Sequence, residues 1–135
     1  MIDTHTHLYV EAFDEDREEA IQNAISEGVT DFYIPAIDSD YHQRMFDLEK
    51  AYPERVHLMM GLHPTHVKEN FKEELDLVKY QLETRNFAAV GEIGIDLYWD
   101  KSFQAQQQNA FDQQIRWAKS KQLPIVIHCR DAFDE

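Results

Sequence analysis

The chain has 135 residues, 43% hydrophobic and 12% aromatic, enough for a folded core and too apolar for a wholly disordered chain. It falls short of the ~250 residues of a closed eight-unit barrel. Its 26 acidic against 13 basic residues give a formal charge of -13, which excludes a broad basic footprint for nucleic acid.

The opening run Met1-Ile-Asp-Thr-His-Thr-His-Leu8 suits a short strand. From Asp14 to Glu27, Ala20, Ile21, Ala24 and Ile25 recur at one-turn offsets, and Gly28 suits the end of a first helix. Thr30 to Ile37 reads as a second strand with Pro35 near its end, and Met45, Phe46, Leu48 and Tyr52 mark a second helix stopped by Pro53. Val56 to Leu62 is a continuous apolar run of strand length, followed by a third helical stripe at Phe71, Leu75, Val78 and Leu82. Phe87 to Ile95 predicts a fourth strand, Ala110, Phe111, Ile115 and Ala118 a fourth helix, and Pro124 to His128 the start of a fifth strand. Strands apolar on both faces that alternate strictly with helices predict parallel pairing through right-handed crossovers, in an α/β sheet or barrel. The chain stops where a sixth crossover helix is due, so the sequence reads as part of a longer one. The exposed edges and the uncovered fifth-strand face then predict self-association of the piece.

Strand alternation places Asp3, His5 and His7 on one side of the first strand, Glu92 with Val90, Gly94 and Asp96 on the fourth, and His128 with Val126 and Arg130 on the fifth. His63 closes the third strand just before Pro64. In parallel α/β folds the C-terminal strand ends converge on the ligand site, so this distribution predicts one shared centre. Neutral imidazoles with a carboxylate suit Zn, Mn, Fe or Mg. A carboxylate can bridge two such ions ~3.5–4 Å apart, which polarise a scissile group and activate water. Metal ions would also offset the charge of an anionic substrate.

Other residues have plainer expectations. His42 falls in a helix, His57 opens a strand and His66 lies in a loop, so none is expected to be a ligand. Glu11, Asp14, Glu15 and Asp16 are expected to favour the first helix's N-terminus. Tyr98 and Trp99 follow the fourth strand as an apolar wall or a surface for a base. Gly91 and Gly94 permit close backbone packing, since no phosphate-binding glycine motif accompanies them. Cys129, opposite in parity to His128, is expected to pack under a helix as a small apolar group. Being single, it excludes an intrachain disulfide and a multi-cysteine zinc framework. No apolar run approaches ~18 residues and no basic-then-apolar leader is present, so a cytoplasmic protein without membrane contact is expected.

Four blocks, Ile2-Asp-Thr-His-Thr-His-Leu8, Gly61-Leu-His-Pro64, Gly91-Glu-Ile-Gly-Ile-Asp96 and Ile127-His-Cys-Arg-Asp-Ala132, stand in the order and at spacings similar to those of the TatD family of metal-dependent hydrolases and deoxyribonucleases. The resemblance runs from Ile2 to Asp131. It implies a TIM-like (β/α) barrel of the metal-dependent hydrolase type, with residues 1–135 as the N-terminal part of a single barrel domain carrying about five strands and four helices. It also implies two divalent metal ions, Zn, Mg or Mn, at the C-terminal face. His5 and His7 would hold one ion, Glu92 would bridge in a catalytic position beside the activated water, and His128 would hold the second. His63 would lie near the substrate phosphate, with Arg130 as a phosphate contact and Asp96 as site organiser. The family's further metal-binding His and catalytic Asp come from strands beyond residue 135, and Asp131 and Asp134 do not replace them. The expected activity is phosphodiester hydrolysis, with DNA as the nucleic acid implied. The alternatives are an amide or ester hydrolase, such as one acting on aminoacyl-tRNA, and a truncated metal-binding module without turnover.

Overall fold

The computed structural model describes residues 1–134. Five parallel strands form one sheet in chain order: β1 (Ile2–Asp3), β2 (Asp31–Ile34), β3 (Val56–Met60), β4 (Ala89–Asp96) and β5 (Ile125–Arg130). The helices α1 (Arg17–Ser26), α2 (His42–Ala51), α3 (Phe71–Thr84) and α4 (Gln104–Lys121) fall between consecutive strands. The sheet is a half-barrel with four helices: the parallel alternation is what the residue pattern predicts, and the barrel form is what the family resemblance implies.

Each helix buries the stripe its sequence lays out. Phe71, Leu75, Val78 and Leu82 of α3 are all buried, and each such side chain stabilises the fold by roughly 1.5–3 kcal/mol on leaving water. Met45 and Leu48 do the same for α2, and Ile21 for α1. Gly28 follows α1 at φ +95°, a left-handed conformation that suits glycine. On α4 the buried stripe is mixed: Gln107 and Gln114 share it with Ala110 and Ala118. The glutamines are polar but not unpaired, because each bonds the backbone at the end of a strand. Gln114 Oε1 accepts from Leu62 N–H at 2.7 Å. Gln107 brackets Asp96, accepting from its N–H at 2.8 Å and donating to its carbonyl at 3.0 Å.

The sheet is graded from centre to edge. All eight residues of β4 are buried, while β5 has no fully buried residue and Ile127 is 55% exposed. Cys129 is exposed rather than packed under a helix, because it shares the parity of Ile127 on a face that nothing among the described residues covers. At the opposite edge β1 is only two residues long. β4 and β5 approach closely at Gly94, which has φ +145°, and a Cβ there would clash with the His128 carbonyl oxygen. Beyond β2 the chain reaches past the end of β3 to touch β4 directly. Ala36 N–H donates to Gly91 O at 2.9 Å, and Glu92 N–H donates to Ala36 O at 3.3 Å. No helix among the described residues is long and apolar enough to cross a membrane.

Candidate metal centre

Four imidazoles from three places in the chain surround one buried carboxylate. Glu92, 7% exposed on β4, has its Oε2 3.2 Å from His5 Nε2, 3.5 Å from His7 Nε2 and 3.7 Å from His63 Nε2. Its Oε1 lies 3.2 Å from His128 Nδ1. His128 Nε2 in turn stands 2.7 Å from Asp96 Oδ2. The structure thus brings together His5, His7, His63, Glu92, Asp96 and His128.

They arrive by a different route from the one strand alternation predicts. His5 and His7 lie beyond the two-residue β1, in the segment that follows it, so a shared strand face is not what aligns them. Backbone clamps hold that segment instead. Arg17 donates to the carbonyls of Leu8 at 2.7 Å, Tyr9 at 3.3 Å and Val10 at 3.0 Å, and Arg44 donates to that of Tyr9 at 2.7 Å. Both guanidinium groups also pair with Asp14. Asp14 therefore braces these arginines rather than capping α1, whose N-cap Asp16 makes no side-chain cap bond; Glu11 accepts from the Tyr41 hydroxyl. On β4 the pairing with β5 shifts register between Val90 and Ile93, so simple alternation breaks beside Glu92. His128 lies inside β5, which runs on to Arg130.

Three of the four rings, those of His7, His63 and His128, have a second polar partner besides Glu92. His63 Nδ1 accepts from Thr65 N–H at 3.2 Å and lies 2.8 Å from the Thr65 hydroxyl. His7 Nδ1 lies 3.0 Å from the Tyr9 hydroxyl. Asp96 accepts from Tyr98 N–H at 3.0 Å. Sequence reading missed Tyr9, Arg17, Arg44, Thr65 and the two glutamines. Only the glutamines left a sequence signal, being seven residues apart on the stripe that also carries Ala110 and Ala118.

Electrostatics follow from this crowding. Burial lowers His63 from 6.5 to about 4, favouring its neutral form against the pull of Glu92. Burial alone would raise Glu92, but the His7 imidazole against its Oε2 and the charges of His63, His5 and His128 outweigh it and hold Glu92 at about 2. Asp96 is also lowered: burial opposes this, and the His128 hydrogen bond overcomes it. The carboxylates are thus ionised and His63 neutral near neutral pH, the forms that metal ligands require.

Two donor sets fit a metal ion: His5 with His7 and Glu92, and His63 with Glu92 and His128, the donor atoms of each lying within 4.8 Å of one another. Donors on a common ion sit up to about 4 Å apart when each bond is ~2.0–2.2 Å, so small side-chain movements suffice. Glu92 is common to both sets, as a bridging carboxylate must be.

The remaining histidines belong to neither donor set, although the His66 ring meets that of His63 edge-on at a centroid separation of 6.2 Å. His57 pairs with Asp31 at 2.8 Å and His66 with Asp38 at 2.5 Å. His42 is buried on α2, with Nε2 unpartnered among the described residues. Tyr98 and Trp99 are 51% and 72% exposed, and the Arg130 guanidinium lies 3.6 Å from the Tyr98 ring centroid and 5.3 Å from that of Trp99.

A cluster of histidines around one carboxylate on a parallel half-barrel is a donor set of the kind that metal-dependent hydrolases use. The family model of the TatD related DNases matches residues 2–135, and the chain belongs to that family. It is 34% identical to the uncharacterized metal-dependent hydrolase YabD of Bacillus subtilis, over 100% of this chain and 52% of the relative. It is 31% identical to a 3'-5' ssDNA/RNA exonuclease TatD of Pantoea sp., over 99% of this chain and 52% of the relative. The crystal structure of YjjV, a TatD homolog from Escherichia coli, superposes with a TM-score of 0.87 at 33% identity, covering 97% of this chain and 51% of that one. A TatD family hydrolase from Entamoeba histolytica shares the fold, with a TM-score of 0.83 at 21% identity over 99% of this chain and 51% of that one. The chain spans about half the length of the curated relatives it matches.

Proposed function

We propose that residues 1–135 form the N-terminal part of one TatD-like barrel, and that the whole protein is a cytoplasmic, divalent-metal-dependent hydrolase cleaving phosphodiester bonds in nucleic acid, DNA foremost. The observation that carries this reading is the meeting of His5, His7, His63 and His128 on the single carboxylate of Glu92. The exonuclease name borne by the Pantoea relative supports nucleic acid as the substrate.

His5, His7 and Glu92 would hold one ion, and Glu92 with His128 would hold the second. Divalent ions there would supply polarisation of the phosphodiester and activation of water. His63, kept neutral by burial and steadied by Thr65, faces the substrate phosphate from the turn that follows β3, three residues past Met60, rather than closing the strand. Asp96 orients the His128 ring. Arg130, stacked over Tyr98 two residues past His128, brings a fixed positive charge to an acidic protein and contacts a phosphate.

The test is hydrolysis by the purified full-length protein, stripped by chelation and reloaded with Zn, Mn or Mg, on end-labelled single-stranded DNA and on an aminoacyl ester. Metal-dependent shortening of the DNA is expected. Glu92→Gln should lower it by at least ~100-fold, beyond the 10–100-fold typical of losing a group behind a ligand, while circular dichroism stays unchanged. Undiminished turnover in Glu92→Gln would overturn the assignment. Ester cleavage without DNA cleavage would move the substrate class, and metal binding without turnover would mark a binding module.

A further inference from the structure

Tyr9 is 1% exposed and lies two residues past His7. Its hydroxyl donates to the carbonyl oxygen of Pro35 at 2.7 Å and stands 3.0 Å from His7 Nδ1. A carbonyl carries no proton, so the single hydrogen of the hydroxyl is committed to Pro35. The phenol oxygen can then meet His7 only as an acceptor, and the proton between them belongs to Nδ1. In a neutral imidazole this leaves the lone pair on Nε2, the atom that faces Glu92 at 3.5 Å.

We infer that Tyr9 is a positioning residue that locks His7 in the Nδ1–H tautomer and so makes Nε2 the donor of the His5, His7 and Glu92 set. The inference rests on the metal-centre reading above. It goes beyond that reading by assigning a function to a side chain that touches neither ion nor substrate, the role that partners behind metal-bound histidines play in general.

Tyr9 is itself well fixed. Its backbone carbonyl accepts from both Arg17 and Arg44, and its ring meets those of Tyr41 and His7 edge-on, at centroid separations of 5.5 and 5.7 Å. Burial, with Tyr41, Asp38 and Glu92 nearby, pushes the phenol's ionisation upward and keeps the hydroxyl protonated. Without the phenol oxygen, the one hydrogen-bond acceptor left to the His7 ring among the described residues is the Glu92 carboxylate on the Nε2 side. The proton would then move to Nε2 and block the donor atom.

Long-range proton–nitrogen NMR on the metal-free full-length protein at alkaline pH reads the tautomer directly, and calorimetric titration with Zn²⁺ reads the affinity. In the wild type His7 is expected as Nδ1–H. In Tyr9→Phe it is expected to shift towards Nε2–H, with the affinity of one Zn²⁺ equivalent falling ~10–100-fold while near-ultraviolet circular dichroism stays native. A merely structural tyrosine would not change the tautomer. A wild-type His7 found as Nε2–H overturns the inference even if the variant fails to fold, as does a folded Tyr9→Phe that keeps both tautomer and affinity. Should the wild type bind no Zn²⁺, the metal-centre reading and Tyr9's part in a donor set both fall, while an Nδ1–H signal would still establish the hydrogen bond.

Discussion

The two flanks of Glu92 are held by different means. On one flank, His128 and Asp96 sit on β5 and β4, with the ladder, the Gly94 contact and the Gln107 bracket fixing backbone to backbone. On the other, His5 and His7 belong to an irregular segment after a two-residue strand, where one backbone bond to β2, from Thr6 N–H to Tyr33 O, is supplemented by side chains from α1 and α2. A strand-borne ligand inherits its position from the sheet. A loop-borne one needs its carbonyls bonded individually, because a buried carbonyl without a donor is costly.

The sharpest way to break the strand flank is Gly94→Ala. The added Cβ meets the His128 carbonyl in a backbone conformation that disfavours side chains, so a loss of about 3 kcal/mol or more is expected in urea unfolding. A loss below 1 kcal/mol would show that β4 and β5 can part without cost. The matching change on the loop flank is Arg17→Ala, which removes a charged donor from three carbonyls. Roughly 2 kcal/mol is expected, with metal affinity at the His5 and His7 set falling before that at His128. Equal weakening of both would erase the distinction drawn between the flanks.

A smaller effect comes from pH in the metal-free protein. His63 is lowered in the fold from 6.5 to about 4, so the unfolded chain binds more protons between those values. Its contribution to stability is therefore complete above about 6.5 and is lost as pH falls through about 4. Glu92, lowered from 4.5 to about 2, adds a further loss at more acid pH. The urea midpoint should fall across the first window in the wild type and less steeply in His63→Gln. Identical slopes would remove His63 as the cause.

Most of the fold and the chief members of the site were legible in the residues. The apolar runs of β2 to β5 and the stripe on α3 gave the elements to within a few positions, because burial on both faces or on one helical stripe imposes the pattern directly. His5 and His7 were picked out by a strand parity they do not have. Their alignment depends on Arg17, Arg44 and Tyr9, contacts between separate elements that leave no local periodicity. The shift between Val90 and Ile93 is likewise a property of two strands together. Cys129 was misplaced because parity says which face a residue takes, and only the tertiary structure says whether that face is covered.

The short stretch at Pro35 and Ala36 takes hold of one flank and of the carboxylate between the two: the carbonyl of one receives the Tyr9 hydroxyl behind His7, and the backbone of the other bonds Gly91 and Glu92. The spacing between imidazole and carboxylate is thus gauged by one peptide unit's length of backbone that supplies no side chain to either.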